Sequence, residues 1–290
     1  MACELPHVLV TGAGSGFGAA TVAAAQEAGF HVIAGLYDPR NGRDAIGSSN
    51  PTELSLDVTD KAQITAMASR IRQHVGEAGL DALVNVAAID TPAPLELVPI
   101  DRLRRIFEVN TVGQLAVTQA LLPLLRRARG RIVFLGPSDD TGAVPFVGPL
   151  ASSKAATTTL AETLRIELEP WDISVIVVEP GRNNTRAREI TADRVARALS
   201  RWSARGRELY EAAFEDVMGA FIKQEERGEE TEVVAETIML ALTSHRPRAR
   251  YSSGAGANML AALADVPQGW QDAAKRKLQL PKPRTKPHEH

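Results

Sequence analysis

The chain has 290 residues, of which 44% are hydrophobic and 4% aromatic, and its formal net charge is −2. This composition suits a globular protein of one large α/β domain and is too apolar for a disordered chain. The near-neutral charge and the few aromatic residues argue against a nucleic-acid partner. The single cysteine, Cys3, excludes an internal disulfide and a cysteine-rich metal site. No metal site is predicted.

The amino-terminal region lacks the pattern of a signal peptide, because the apolar run Val8–Val10 breaks into glycines at once. No stretch approaches the roughly 20 apolar residues that a membrane helix needs. We therefore expect a cytoplasmic protein with no membrane partner.

Short apolar runs alternate with helical patterns along the chain. The runs lack the in–out alternation of half-exposed strands, which is typical of a parallel sheet covered on both faces. The sequence predicts a Rossmann-type, doubly wound α/β fold with helices on both faces of the sheet. The predicted strands are His7–Val10, His31–Leu36, Glu53–Leu56, Ala82–Val86, Arg131–Leu135, Ile173–Val178 and Arg250–Ser253. The predicted helices are Gly16–Ala28, Lys61–Val75, Asp101–Arg126 (broken near Gly113 or bent at Pro123), Ser152–Glu169, Glu208–Glu226 and Glu232–Thr243.

The pattern changes after the sixth strand. Residues 1–270 are predicted to form one dinucleotide-binding domain, with a polar segment at about 182–228 acting as a lid over the substrate. Residues 271–290 are basic and contain several prolines, which predicts a solvated and mobile tail.

A glycine-rich turn follows the first strand directly and opens the first helix. Glycine permits positive φ and lets a ligand approach the backbone, while the start of a helix offers free N–H groups to a diphosphate. The turn therefore predicts a pyrophosphate site, the alternative being a tight turn that binds nothing. Its residues are Thr11, Gly12, Ala13, Gly14, Ser15, Gly16, Phe17 and Gly18.

The TGxxxGxG spacing of this turn resembles that of the short-chain dehydrogenase/reductase family, and the resemblance extends over about residues 6–255. Three segments look most like the family's retinol and hydroxybutyrate dehydrogenase branch, namely Ser15–Gly18, Gly29–Phe30 and Arg126–Val133. Further family motifs occur in order, carried by Asp57 and Val58, by Asn85 and Ala87, by Asn110, by Lys154, and by Pro180, Gly181 and Thr185.

This resemblance implies a nicotinamide cofactor and a role for each motif. Asp57 and Val58 match the residues that contact the adenine. Asn85 and Ala87 match the family's NNAG motif. Pro180, Gly181 and Thr185 match the residues that line the nicotinamide. Asn110 matches the catalytic asparagine. Lys154 matches a lysine that binds the nicotinamide ribose and assists catalysis.

The end of the second strand bears on the choice between NAD and NADP. An acidic residue there binds the ribose hydroxyls of NAD, whereas a basic one binds the extra phosphate of NADP. Leu36 occupies the usual acidic position, Asp38 follows two residues later, and Arg40 and Arg43 lie just beyond. Asp38 favours NAD slightly over NADP, although it also suits the first position of a turn.

Two of the family's catalytic positions hold residues that cannot do the family's chemistry. The tyrosine that donates a proton to the substrate oxygen corresponds to Leu150, four residues before Lys154. The serine that orients the substrate corresponds to Pro137, which has no hydroxyl. If the loop is shifted by one residue, the Ser138 hydroxyl is a candidate replacement for that of the family's serine. The alternative is that Ser138 belongs to a polar surface turn with Asp139 and Asp140. Ser152 and Ser153 are interpreted as helix caps.

An apolar wall is predicted beside these positions, formed by Pro137, Val144, Phe146 and Leu150. It favours an apolar small-molecule substrate. Three functions remain open: an oxidoreductase with an altered acid, a repurposed member that catalyses a non-redox cyclisation or rearrangement, and a non-catalytic NAD(P)-binding protein. The two helical segments Asp101–Arg126 and Ser152–Glu169 resemble the family's interface helices, so a homodimer or homotetramer is expected.

Overall fold

The computed structural model describes residues 5–40, 51–137, 145–180, 183–184, 195–225 and 229–253. The strands are β1 His7–Thr11, β2 His31–Leu36, β3 Thr52–Ser55, β4 Ala82–Asn85, β5 Arg131–Leu135, β6 Ser174–Glu179, β7 Asn183–Asn184, β8 Glu229–Glu230 and β9 Arg250–Ser252. The α-helices are α1 Gly16–Glu27, α2 Lys61–Val75, α3 Ile100–Phe107, α4 Gln114–Ala128, α5 Gly148–Glu167, α6 Ala204–Glu225 and α7 Thr231–Thr243.

Seven of these strands form one sheet in the order β3-β2-β1-β4-β5-β6-β9, and every pair in it is parallel. Strand order reverses direction between β1 and β4, and the carboxyl ends of these two strands therefore flank a crevice where a ligand can enter. The remaining strands, β7 and β8, form a separate parallel pair of two residues each. The predicted doubly wound α/β fold is confirmed.

Both faces of the sheet are covered. Leu9, Leu83 and Ile132 point to one face and pack with α2, α4 and α5. Val8 and Val84 point to the other face, where they pack with α1 and α7. Because successive side chains of a strand point to opposite faces, burial of both sets explains why the strand runs are apolar throughout.

The helical segment predicted over Asp101–Arg126 is divided in the structure. Helix α3 ends at Phe107, a π-helical turn runs from Glu108 to Gly113, and α4 continues to Ala128 with Pro123 in its interior. A π turn leaves the regular hydrogen-bond ladder and is frequent at functional sites. Here it places Asn110 in the break.

The predicted start of α5 was wrong. The helix begins at Gly148, with Pro149 in its first turn, so Ser152 and Ser153 lie inside it and do not cap it. Their hydroxyls instead donate to the carbonyl oxygens of Pro149 and Leu150, at 3.1 and 2.8 Å. Proline suits a first helical turn, which is the signal that the capping interpretation overlooked.

No helix among the described residues is long and apolar enough to cross a membrane. The predicted tail at 271–290 lies outside the described residues. Of the predicted lid at about 182–228, residues 182, 185–194 and 226–228 also lie outside them.

Candidate functional site

The glycine-rich turn leaves the end of β1 and passes close to the chain that follows β4. Gly12 has φ of +65°, and a Cβ there would lie 2.8 Å from the Cα of Ala87. A Cβ on Gly18 would lie 2.1 Å from the carbonyl oxygen of Gly12. Both positions therefore require glycine, because a side chain at either would collide with backbone that cannot move aside.

The first turn of α1 is open to a ligand. Gly16 begins the helix with φ of +48°, and nothing lies within 4 Å of where its Cβ would be. Ser15, at the N-cap, makes no capping hydrogen bond with its side chain, and the first turn holds no acidic residue. Gly14 is half-buried beside it, and Phe17 packs against the core. The N–H groups at this helix end thus suit an anionic ligand.

Asp57 follows β3 at the same edge of the sheet. Its Oδ1 accepts hydrogen bonds from the Thr59 N–H and hydroxyl, at 2.9 and 2.7 Å, and its Oδ2 lies 3.3 Å from an Arg105 guanidinium nitrogen. Burial raises the pKa of this carboxyl group, but the hydrogen bonds and Arg105 outweigh it and hold the pKa below its usual value. Val58, next in the chain, is buried against Gly113.

Asp38 lies just beyond β2, where a cofactor ribose is expected. Its Oδ1 accepts from the backbone N–H of Arg40 at 3.0 Å and approaches the Arg40 Nε at 3.4 Å. This is the local geometry of a turn that begins at Asp38.

A cluster of buried polar side chains joins β4 to α4 and to the end of β1. Asn85 donates to the Thr118 hydroxyl at 3.1 Å, Gln114 donates to the Ala87 carbonyl at 2.8 Å, and the Thr11 hydroxyl accepts from the Ala87 N–H at 3.2 Å. These contacts fix the strand ends that the turn must approach. Gln114 and Thr11 therefore hold the backbone of Ala87, and Asn85 links the end of β4 to Thr118 of α4.

Asn110 sits in the π turn and is fully buried. Its side chain accepts from the Ile89 N–H at 2.8 Å and donates to the Ile89 carbonyl at 2.9 Å and to the Ser153 hydroxyl at 3.0 Å. Its own carbonyl accepts from the Thr157 hydroxyl at 2.9 Å. Asn110 thus ties the chain after β4 to helix α5. No pattern in the sequence indicates that Ser153 and Thr157 share in this network.

Lys154 extends from α5 to the carboxyl end of β5. It is only 8% exposed, and its Nζ donates to the Leu135 carbonyl at 2.8 Å. Burial lowers the pKa of this ammonium group to about 8. No carboxylate pairs with it among the described residues. A buried ammonium that gives the described residues one hydrogen bond from its three protons is suited to a ligand with hydroxyl or anionic oxygens.

Leu150 lies in the first turn of α5, and half-buried Pro137 follows β5. Phe146, just before α5, has φ of +70°, and its ring packs edge-on against Phe214 of α6 with 5.4 Å between ring centres. Trp202 contacts the same Phe214 ring at 4.9 Å. Four predicted site residues, Ser138, Val144, Gly181 and Thr185, lie outside the described residues.

Helix α6 is joined to the chain after β4 by contacts that sequence reasoning missed. The Tyr210 hydroxyl donates to the Glu96 carboxylate, which raises the pKa of Tyr210. A Cβ on Gly206 would lie 3.0 Å from a methyl group of Leu97. Because these residues are more than a hundred positions apart, no local pattern signals the contacts.

Fold, turn and buried lysine together define a nucleotide-binding protein of the doubly wound class. The family profile described as "short chain dehydrogenase" matches residues 6–195. The chain therefore belongs to the short-chain dehydrogenase/reductase family, whose members are NAD(P)-binding oxidoreductases.

Two curated human relatives are similar over most of their length. Retinol dehydrogenase 5 is 32% identical over 95% of this chain and 89% of its own. The human 17-beta-hydroxysteroid dehydrogenase type 6 is 32% identical over 86% of this chain and 80% of its own. Among solved structures, a short-chain dehydrogenase from Streptomyces avermitilis is 26% identical, covers 96% of each chain and superposes with a TM-score of 0.72.

Proposed function

We propose that this protein is a nicotinamide-dependent oxidoreductase acting on an apolar small molecule, with leucine and proline at the positions of the family's catalytic tyrosine and serine. The observation that carries the proposal is the ammonium of Lys154, buried at the carboxyl end of β5 with a single described hydrogen bond to protein. Burying an ammonium group with one hydrogen bond and no carboxylate partner among the described residues is costly, so the arrangement is best explained by a ligand that supplies further acceptors.

The described residues fit a dinucleotide. The N–H groups at the start of α1 would hold the pyrophosphate beside Gly12, Gly14, Ser15, Gly16, Phe17 and Gly18. Asp57 and Val58 lie where the adenine is expected, Ala87 lies beside the turn, and Lys154 would bind the nicotinamide ribose hydroxyls. Pro180 is buried directly after β6. The family resemblance implies that Pro180, Gly181 and Thr185 line the nicotinamide, and the last two lie outside the described residues. When bound, the cofactor supplies or accepts a hydride.

The residues available to donate a proton to the substrate distinguish this chain from its family. Leu150 and Pro137 hold no transferable proton, and the side chains of Asn110 and Ser153 already bind protein. Of the predicted catalytic residues that the structure describes, Lys154 alone carries a charge that stabilises a developing negative charge. We therefore favour substrates such as an iminium or an activated enone, which need little acid assistance at oxygen.

The apolar surroundings support the substrate class. Phe146 packs with Phe214 and Trp202, so part of the predicted wall belongs to a cluster under α6. Leu150 and Pro137, both half-buried, take the sequence positions of the family's tyrosine and serine. The two human relatives are named for retinol and for a hydroxysteroid, both of which are apolar molecules.

NAD is the cofactor that we propose over NADP, on the basis of Asp38 at the end of β2. Its carboxylate lies on the cofactor edge of the sheet, although it is held in a turn with Arg40. Competition between NADH and NADPH for the same protein tests the preference directly.

We further propose one dinucleotide-binding domain over residues 1–270 with a lid over about 182–228, a homodimer or homotetramer, and a cytoplasmic location. Within the two helical segments expected at the interface, Leu121 and Leu164 are buried in the core, whereas Ile166 of α5 is 66% exposed and available to a second copy. Sedimentation at low protein concentration tests the assembly.

A non-redox function is the second candidate, favoured by the engagement of Asn110 and Ser153 in contacts within the protein. Isothermal titration calorimetry with NADH and NADPH tests cofactor binding, and we expect at least one to bind. Turnover of NADH with an apolar iminium or enone then separates the candidates. Binding without any hydride transfer across such a substrate panel supports the non-redox function, and no binding of either cofactor contradicts both.

A further inference from the structure

Three histidines meet at the amino-terminal edge of the sheet, opposite the dinucleotide site. His7 is the first residue of β1 and His31 the first of β2, and these two residues are direct partners in the parallel register. His74 is the penultimate residue of α2, which ends at this edge. Three separate elements therefore bring one imidazole each to the same place.

The three rings converge on a common point. Their centres are 5.2 Å apart for His7 and His31, 5.4 Å for His7 and His74, and 4.5 Å for His31 and His74. One nitrogen from each ring lies within 4.8 Å of the other two. The Nε2 atoms of His31 and His74 are 2.8 Å apart.

These spacings are close to those of a three-histidine metal site. Zinc binds imidazole nitrogen at about 2.0–2.1 Å in a tetrahedral arrangement, which places ligand nitrogens roughly 3.3 Å from one another. The His31–His74 pair needs to open slightly, and His7 needs to move inward. Because His74 is exposed, and His7 and His31 are half-buried, ring rotations can make these adjustments without moving the strands.

The surroundings leave room for an ion and for a further ligand. An open cavity of about 600 Å³ adjoins the cluster, and Leu5, Gln73 and Glu77 line it together with the histidines. Glu77 is paired with Arg127 at 3.3 Å, so its carboxylate is directed to the protein surface. The fourth position of a tetrahedral ion would then be taken by water.

We propose that His7, His31 and His74 bind one divalent transition-metal ion, with zinc the best match to three imidazoles and a water. Imidazole nitrogen favours zinc, copper, nickel and cobalt, whereas magnesium and calcium require oxygen ligands. The ion fastens the starts of β1 and β2 to the end of α2. Since ions that bind only the folded state stabilise it, the site acts on stability and not on hydride transfer.

The test uses the full-length protein, freed of metal with EDTA and then titrated with Zn²⁺ and, separately, with Co²⁺. We expect one ion per chain, a rise in the melting temperature with Zn²⁺, visible absorption from bound Co²⁺, and no rise with Mg²⁺. His74→Gln, which keeps the helix and removes one ligand, should weaken Zn²⁺ binding at least tenfold and abolish most of the rise.

Two controls separate this cluster from the other histidines of the chain. His245→Gln removes an exposed histidine elsewhere, and the double variant His288→Gln with His290→Gln removes those near the carboxyl terminus. Both should bind Zn²⁺ as the parent does. The proposal is overturned if Zn²⁺ binding is absent, if it is lost in the His288/His290 variant, or if His74→Gln leaves the affinity unchanged.

Discussion

The two halves of the candidate site are built on different principles. The dinucleotide half consists of backbone and buried polar groups. At Gly12 and Gly18 the chain passes so close to other backbone that only glycine fits, and at Asn110 hydrogen bonds hold the side chain in place. The half where substrate would lie is apolar at Leu150 and Pro137. Under the proposed function, the chain keeps the residues that hold a cofactor and changes those that would transfer a proton, so the two tasks can be tested separately.

This difference makes each half testable alone. Changes in the dinucleotide half should alter cofactor affinity and stability together, since the same atoms serve both. Changes at Leu150 and Pro137 should alter rates with little effect on cofactor affinity.

The largest effect is expected from restoring both missing polar side chains. General acid catalysis contributes typically about 10²–10⁴ in rate. Leu150→Tyr combined with Pro137→Ser should therefore raise the reduction of an apolar ketone more than about 100-fold, measured as NADH consumption. Leu150→Tyr alone should gain little, because Pro137 still offers no hydroxyl to orient the substrate.

Cofactor titrations of both variants supply the control, and their affinities should match that of the parent. Strong ketone reduction by Leu150→Tyr alone would show that the serine position is not needed. An inactive double variant that still binds cofactor would argue against the proposed alignment of these two positions.

Gly18→Ala should have the next largest effect, on the other half of the site. Its new Cβ would lie 2.1 Å from the Gly12 carbonyl oxygen, so the turn must distort. Overpacking of this kind costs about 1–3 kcal/mol, and we expect cofactor affinity to fall about 100-fold, measured by calorimetry.

Gly219→Ala is the matched control, because nothing lies within 4 Å of its Cβ position in α6. Alanine in a helix interior is favoured over glycine by about 0.5–1 kcal/mol, so this variant should melt slightly higher and bind cofactor normally. Normal cofactor binding by Gly18→Ala would contradict the assigned role of the turn.

Lys154→Met should change both stability and cofactor affinity, but in opposite directions. Burial lowers the pKa of the Lys154 ammonium group from its ordinary value of 10.5 to about 8, so burying the charge costs up to about 3 kcal/mol at pH 7. Without cofactor the variant should be more stable than the parent at pH 7. The difference in unfolding free energy between variant and parent should shrink as pH rises from 8 to 10.5, because Lys154 of the folded parent then loses its proton.

The same variant should bind cofactor about tenfold or more weakly, having lost a charged hydrogen-bond donor. Urea unfolding at several pH values and calorimetry measure the two effects. Lys61→Met, at an exposed lysine of α2, is the control and should show neither. A destabilised Lys154→Met protein at pH 7 would mean that the bond to Leu135 outweighs the cost of burial.

The sequence predicted most of the sheet and the positions of the glycines in the turn, for a physical reason. Strands buried on both faces leave continuous apolar runs, and the steric needs of Gly12 and Gly18 leave glycines at fixed spacing. The predicted strand Arg131–Leu135 and helix Lys61–Val75 have the same bounds in the structure.

One missed feature had a local signal, and another depends on contacts between distant residues. The start of α5 at Gly148 was missed because Ser152 and Ser153 resemble caps, although they bond within the helix. The histidines at 7, 31 and 74 meet only through strand register and the length of α2. No periodicity within one element records such a meeting.

The smallest effect is expected at the contact between α6 and the chain after β4. Tyr210→Phe removes the hydrogen bond to Glu96 but keeps the ring, and both residues lie near the surface. Exposed hydrogen bonds contribute little to stability, so the melting temperature should hardly change.

If α6 covers the substrate, KM for an apolar substrate should rise about two- to threefold with kcat unchanged, since a weak contact closing the lid is worth well under about 1 kcal/mol. Tyr251→Phe, on β9, removes a hydroxyl that accepts from the Arg248 N–H and should leave KM as it is. An equal rise in both variants would mean that the Tyr210 contact has no specific part in closing the site.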